Sequence, residues 1–224
     1  MSVLVELQKF SDAEKALKLR QIHKIDRPYL GLDNDDIDSV VKAFQKKRSV
    51  KELIKEARSL WSTDIFEARI AAGKILTKGR LQPDDDQAIW EATVDFAEYF
   101  DSWAIADHMA MAAHKRINST SGRWQELEAW TTSENQWIKR AALVYTLPFT
   151  RIREPNEHEQ LARDTILEWC EEYVFDDERY IQKAVGWWLR DLSRIEPKRV
   201  AQFTIKHGET MLPTARKEAE KYLI

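Results

Sequence analysis

The sequence predicts an all-α chain, either a bundle or an α-solenoid of helical pairs, and three observations carry that expectation. Glycine and proline number six each in 224 residues, whereas the turns of sheet proteins consume both. Apolar residues recur at helical spacing from end to end, without strand-like alternation. The linkers between periodic segments are short, so successive helices are expected to pack as pairs.

The periodicity places helices at 2–23, 34–47, 49–60, 63–79, 84–99, 101–116, 119–131, 134–147, 157–174, 179–194, 197–206 and 213–223. Start signals mark several of them: Asp33 and Asn34 before DDIDSVVKAF, Ser62 and Thr63 before DIFEARIAAGKIL, and Pro83 ahead of three aspartates. The longest break is TLPFTRIREPNEHEQ, residues 146–160. No strict sequence period recurs, so any repeats have diverged. A curved helical stack builds its concave inner surface from alternate helices, and function is sought there.

Length suits one domain over residues 1–224. No apolar run approaches the length of a membrane span, and no charged leader with an apolar core opens the sequence. The lone cysteine, Cys170, has neither a disulfide partner nor a ligand cluster around it, which leads us to expect a cytoplasmic protein without a membrane partner. A formal net charge of −3 gives no global sign of nucleic acid, so any basic surface must be local. Nine tryptophans are many for this length, and some are expected outside the core.

Three clusters stand out. In FDSWAIADHMA, residues 100–110, Trp103 and Asp107 lie four apart and share a helix face, which Ala110 and His114 continue. In NQWIKRAALVYTL, residues 135–147, the helix is apolar nearly all round after Arg140, so this arginine needs partners: a structural acid, or an anion such as phosphate at a groove wall. In YIQKAVGWWLRDLSR, residues 180–194, Ile181, Ala184, Val185, Trp188 and Leu192 form the core stripe. Lys183, Trp187, Arg190 and Arg194 recur on another face. Cations interleaved with an aromatic suit a phosphate backbone and something to stack on, although a cation–π shelf within the protein fits too. Charge is segregated accordingly, with 8 basic against 5 acidic residues from Trp187 onward and 5 against 10 over 151–186. His23, His108, His114, His158 and His207 are scattered and receive no role.

Together these blocks resemble the AlkD-like DNA alkylation repair glycosylases, a family of HEAT-like helical-repeat proteins. The resemblance is carried by IQKAVGWWLRD (181–191), by WIKRAAL (137–143) and by the Trp-x-x-x-Asp of 103–107. RPYLGLDNDDI (27–37) and LPTARKEAEKYL (212–223) extend it over most of the chain, in order. It implies an α-solenoid of antiparallel helical pairs with a concave DNA-binding groove. It also implies an enzyme that hydrolyses the N-glycosidic bond of cationic N3- or N7-alkylated purines in double-stranded DNA; a solenoid that buries its own core can work as a monomer, and a monomer is expected. Asp107 would be the catalytic carboxylate, Trp103 and Trp187 the aromatic walls beside the lesion's sugar, and Arg140 a DNA-backbone contact. The basic stripe adds Lys183, Arg190 and Arg194 as phosphate contacts. One position departs from the pattern: relatives often carry a second aspartate directly after the first tryptophan, where this chain has Ala104.

The expected chemistry suits so sparse a site. A cationic base is already a good leaving group, so no general acid has to protonate it. The electron-poor sugar left behind is stabilised by a carboxylate that also positions water. Tryptophan faces add cation–π attraction and exclude water. No metal or cofactor is implied, and the lesion is expected to stay in the duplex rather than being flipped out. Two alternatives remain open at this level: a non-catalytic helical-repeat protein that binds DNA or structured nucleic acid, and a repeat scaffold for a protein partner.

Overall fold

Short helices have many ends, and each end leaves backbone groups without intrahelical partners. How those groups are satisfied explains most of this fold. The computed structural model describes residues 2–223, and among them every regular element is helical. The chain divides into two compact units, Met1–Arg116 and Ile117–Ile224.

The first unit holds α1 (Val3–Gln8), α2 (Ala13–His23), α3 (Asn34–Gln45), α4 (Val50–Trp61), α5 (Phe66–Ile75), α6 (Pro83–Asp95) and α7 (Trp103–His114). Most of its contacts run between helices one or two places apart in the chain: α3 and α4 pack on α5, α4 on α6, and α5 and α6 on α7. This near-neighbour pattern is the mark of stacked repeats. α5 sits at the centre with nearly every residue buried, from Phe66 to Ile75. Its small face brings α7 close: a Cβ on Gly73 would lie 3.1 Å from the Met109 backbone nitrogen.

Glu67 is 1% exposed, an unusual place for a carboxylate. It accepts the backbone N–H groups of Leu30, Gly31 and Leu32 at 2.9, 2.7 and 3.3 Å. The turn thus held is the Tyr-Leu-Gly-Leu of residues 29–32. Gly31 adopts φ +81°, and a Cβ there would fall 2.1 Å from the Asp12 carbonyl oxygen. Close approach and backbone conformation both demand glycine. Reciprocal capping boxes start three helices, Asp33 with Asp36 on α3, Ser49 with Glu52 on α4 and, in the second unit, Asn156 with Glu159.

The second unit holds α8 (Arg123–Glu126), α9 (Gln136–Tyr145), α10 (Glu157–Tyr173), α11 (Arg179–Ser193), α12 (Pro197–His207) and α13 (Pro213–Ala219). α11 is central here and packs on α9, α10, α12 and α13. Buried long side chains again tie down the turns. Arg163 donates to the carbonyls of Phe149 and Ile152 at 2.8 and 2.6 Å. Gln182 donates to the Val174 carbonyl at 2.7 Å and accepts the Leu212 N–H at 3.2 Å.

The all-α expectation holds, while several boundaries differ. The helix expected over 2–23 is two helices, because Asp12 caps a new start through the N–H groups of Glu14 and Lys15. The helix expected over 63–79 begins at Phe66: Ser62 ends α4 instead, and Asp64 turns through φ +60°. Over 119–131 there is one α-turn and a 3₁₀ turn, Glu128–Thr132, because Gly122 at φ +93° breaks the run. Tight 3₁₀ turns also follow α6, α9 and α13.

Replacing Glu67 by Ala strands three donors of the turn, those of Gly31 and Leu32 fully buried, and the expected loss is about 3 kcal/mol in urea unfolding. Gly31→Ala should destabilise comparably through strain and overlap. A loss below about 1 kcal/mol for both would contradict this account of the turn.

Candidate functional site

The placement of α7 begins before its first residue. Ser102 caps it by accepting the Ile105 N–H at 3.2 Å. Asp101 pairs with the buried Arg27, and Asp64 joins them at 3.5 Å from Arg27 and 2.8 Å from Arg69. Burial lowers the pKa of both arginines, yet each keeps its charge, because a guanidinium loses its proton only in strong base. Two cations and two anions therefore anchor the start of α7 to the 24–33 segment and to α5.

From that anchor Trp103 and Asp107 project one turn apart, both half-buried. The structure brings this predicted pair together as expected. The accessible face continues through His108, Met111 and His114 rather than through Ala110, which is buried. Ala104 is 3% exposed and faces the core. An aspartate there would have to enter apolar surroundings, so alanine suits the way this helix is seated.

Trp103 heads an aromatic column that spacing could not reveal. Its ring lies 5.3 Å from His23, His23 lies 4.4 Å from Phe66, and Phe66 lies 4.8 Å from Tyr29. The members come from α2, α5, α7 and the loop between α2 and α3. Burial, reinforced by the nearby His108, holds His23 below the ordinary histidine pKa, so the column presents a neutral ring at pH 7. His108 is likewise lowered by burial. Its Nδ1 donates to the Ala104 carbonyl at 2.7 Å, and its Nε2 lies 3.1 Å from the Asn34 side chain.

In the second unit, α11 has two faces, as the sequence indicates. Ile181, Ala184, Val185, Trp188 and Leu192 are buried, while Lys183 and Arg194 are exposed and Trp187 and Arg190 are half-buried. Trp187 lies between two cations, with the Arg140 guanidinium 4.7 Å and the Lys183 ammonium 5.1 Å from its ring centre. Arg140 is only 1% exposed and donates to the Tyr180 carbonyl at 2.6 Å. The bare phosphate contact expected of it thus meets a guanidinium lying behind a tryptophan. Two other members of the stripe are partly engaged as well. Arg190 is bound by Asp191 at 2.8 Å and by Glu218, so its donors are largely taken. Arg194 lies over the Tyr222 ring at 3.9 Å yet stays exposed.

Among the described residues the chain is thus all-helical, with helices packed mainly on near neighbours, an aromatic–carboxylate pair in one unit and a cation-flanked tryptophan in the other. Residues 3–223 match the model of the DNA alkylation repair enzyme family, and the chain belongs to that family. No curated protein matches the chain in sequence. Among solved structures it is similar to one described as a predicted DNA alkylation repair enzyme from Enterococcus faecalis, with a TM-score of 0.74 and 20% identity over 95% of this chain and 96% of that one. It is also similar to AlkD2 from Streptococcus mutans, with a TM-score of 0.60 and 16% identity over 94% and 98% of the two chains. At these identities the likeness is one of fold. No helix among the described residues is long and apolar enough to cross a membrane.

Arg140 is set by geometry that a lysine cannot reproduce. Arg140→Lys should cost about 2 kcal/mol in chemical denaturation, because a lone ammonium cannot both reach the Tyr180 carbonyl and cover Trp187. An unchanged midpoint would show that the guanidinium is not structural.

Proposed function

We propose that the protein is a DNA glycosylase that hydrolyses the N-glycosidic bond of cationic N3- or N7-alkylated purines in duplex DNA, with residues 1–224 acting as one monomeric helical-repeat domain. The observation that carries this reading is the Trp103–Asp107 pair on the accessible face of α7, in a chain that belongs to the alkylation repair family.

The alkylated base leaves with the electrons of the glycosidic bond and becomes neutral. The sugar becomes cationic, with its charge shared between C1′ and the ring oxygen. Asp107 stabilises that charge and orients a water for attack on C1′, and the water's proton passes to the carboxylate or to solvent. Trp103 offers its ring face to the same cation and keeps bulk water away. The neutral His23 behind it adds aromatic bulk without a repelling charge. Trp187 presents a second aromatic face to the DNA. Lys183 and Arg194 are the stripe's most available phosphate contacts, with Arg190 and Arg140 contributing field from behind. The chemistry calls for no metal or cofactor, and the lesion can remain in the duplex.

The test is release of 7-methylguanine from a methylated duplex under single-turnover conditions. Asp107→Asn should slow release by at least about a hundredfold while leaving duplex affinity within a few-fold. Equal rates for the two proteins would remove Asp107 from the mechanism. Salt-dependent duplex binding without release by either protein would favour the non-catalytic binder. Arg194→Ala should lower the slope of log affinity against log salt by about 1.

A further inference from the structure

A cleft of about 460 Å³ opens beside Trp187 on the surface of the second unit, between α11 and α13. Arg179, Tyr180, Lys183 and Trp187 line one side, with Thr214 and Glu218 on the other. Its floor is a close helix contact: a Cβ on Gly186 would fall 2.7 Å from the Ala215 carbonyl oxygen. Glycine at 186 thus lets α13 approach, and the side chains on either side of that contact become walls. The volume lies in the range of small-ligand sites, roughly 300–1,000 Å³.

Its charges are unevenly matched. Glu218 is already neutralised by Arg190. Arg179 and Lys183 are exposed, and neither meets a carboxylate at ion-pair distance among the described residues. Arg179 lies over the Tyr180 ring at 4.6 Å and donates to its hydroxyl at 2.7 Å, and Lys183 lies over Trp187. Tyr180 is in turn braced by Trp137 at 4.9 Å between ring centres. In a chain whose other arginines are mostly paired with acids, two cations held at a cleft mouth by aromatic rings are left available to an outside anion.

We propose that this cleft binds one backbone phosphate of the DNA strand flanking the lesion, with the attached sugar against Trp187. Arg179 and Lys183 hold the phosphate oxygens from one wall, and the Thr214 hydroxyl donates from the other. The inference rests on the repair reading above and adds Arg179, Tyr180 and Thr214 to the DNA-binding residues.

A protein–DNA cycle tests it. Duplexes carrying 7-methylguanine are made with a neutral methylphosphonate at one flanking position at a time, and affinities are measured for wild type, Arg179→Gln and Lys183→Gln. One position should weaken wild-type binding about tenfold and weaken the variants' binding far less, because their contact is already lost. Penalties that match between wild type and both variants at every position would overturn the cleft assignment while leaving the repair reading standing. Failure of the wild type to bind any duplex would remove the repair reading, and the cleft with it.

Discussion

A chain of short helices buries many helix ends, and satisfying their backbone groups is the constraint on which both units depend. Each unit meets it with long polar side chains drawn out of water. In the first, Glu67 gathers three N–H groups of one turn. In the second, Arg163 and Gln182 collect carbonyls from two turns, and Arg140 takes one at the start of α11. An apolar side chain could fill those spaces, but it would leave the turn groups bare in low dielectric. These interior polar side chains are therefore structural fixings, and the helices that carry function are held by them.

The candidate site follows from that scheme. α7 can bring Trp103 and Asp107 to the surface only because Gly73 lets it lie against α5 and because the Arg27–Asp64–Arg69–Asp101 cluster fixes its start. α13 can cross α11 this closely only because residue 186 is glycine, and the turn of the helix then buries Trp188 while leaving its neighbour Trp187 half-exposed. Arg140 then has two roles. It ties α9 to the carbonyl of Tyr180, and its guanidinium fixes the ring of Trp187. A charge that looked from the sequence like either a structural ion or an anion contact is built in as a support for the aromatic face.

Much of this was legible in the residues. The period of 3.6 gave the helices, and the two-faced pattern of 180–194 separated Trp188 from Trp187 correctly, since burial along one helix follows directly from spacing. Long-range pairing was not legible. The role of Glu67 depends on a turn 35 to 37 residues away, and His23 reaches Trp103 only through the fold. The same limit hid the partners of Arg190, because Glu218 lies 28 residues on. The breaks at 9–12 and 119–122 were missed for a local reason. Capping by Asp12 and the left-handed turn at Gly122 compete with helical periodicity over a few residues, and periodicity averages over more.

The central claim is that Asp107, beside Trp103, is matched to a cation developing on the sugar. Its most direct test compares binding of a duplex holding a cationic pyrrolidine abasic-site analogue with one holding the neutral tetrahydrofuran analogue. The account predicts that the wild type prefers the cationic duplex, and that Asp107→Asn loses most of that preference while binding the neutral duplex as before. Equal affinity for the two duplexes in the wild type, or a preference undiminished in the variant, would contradict it.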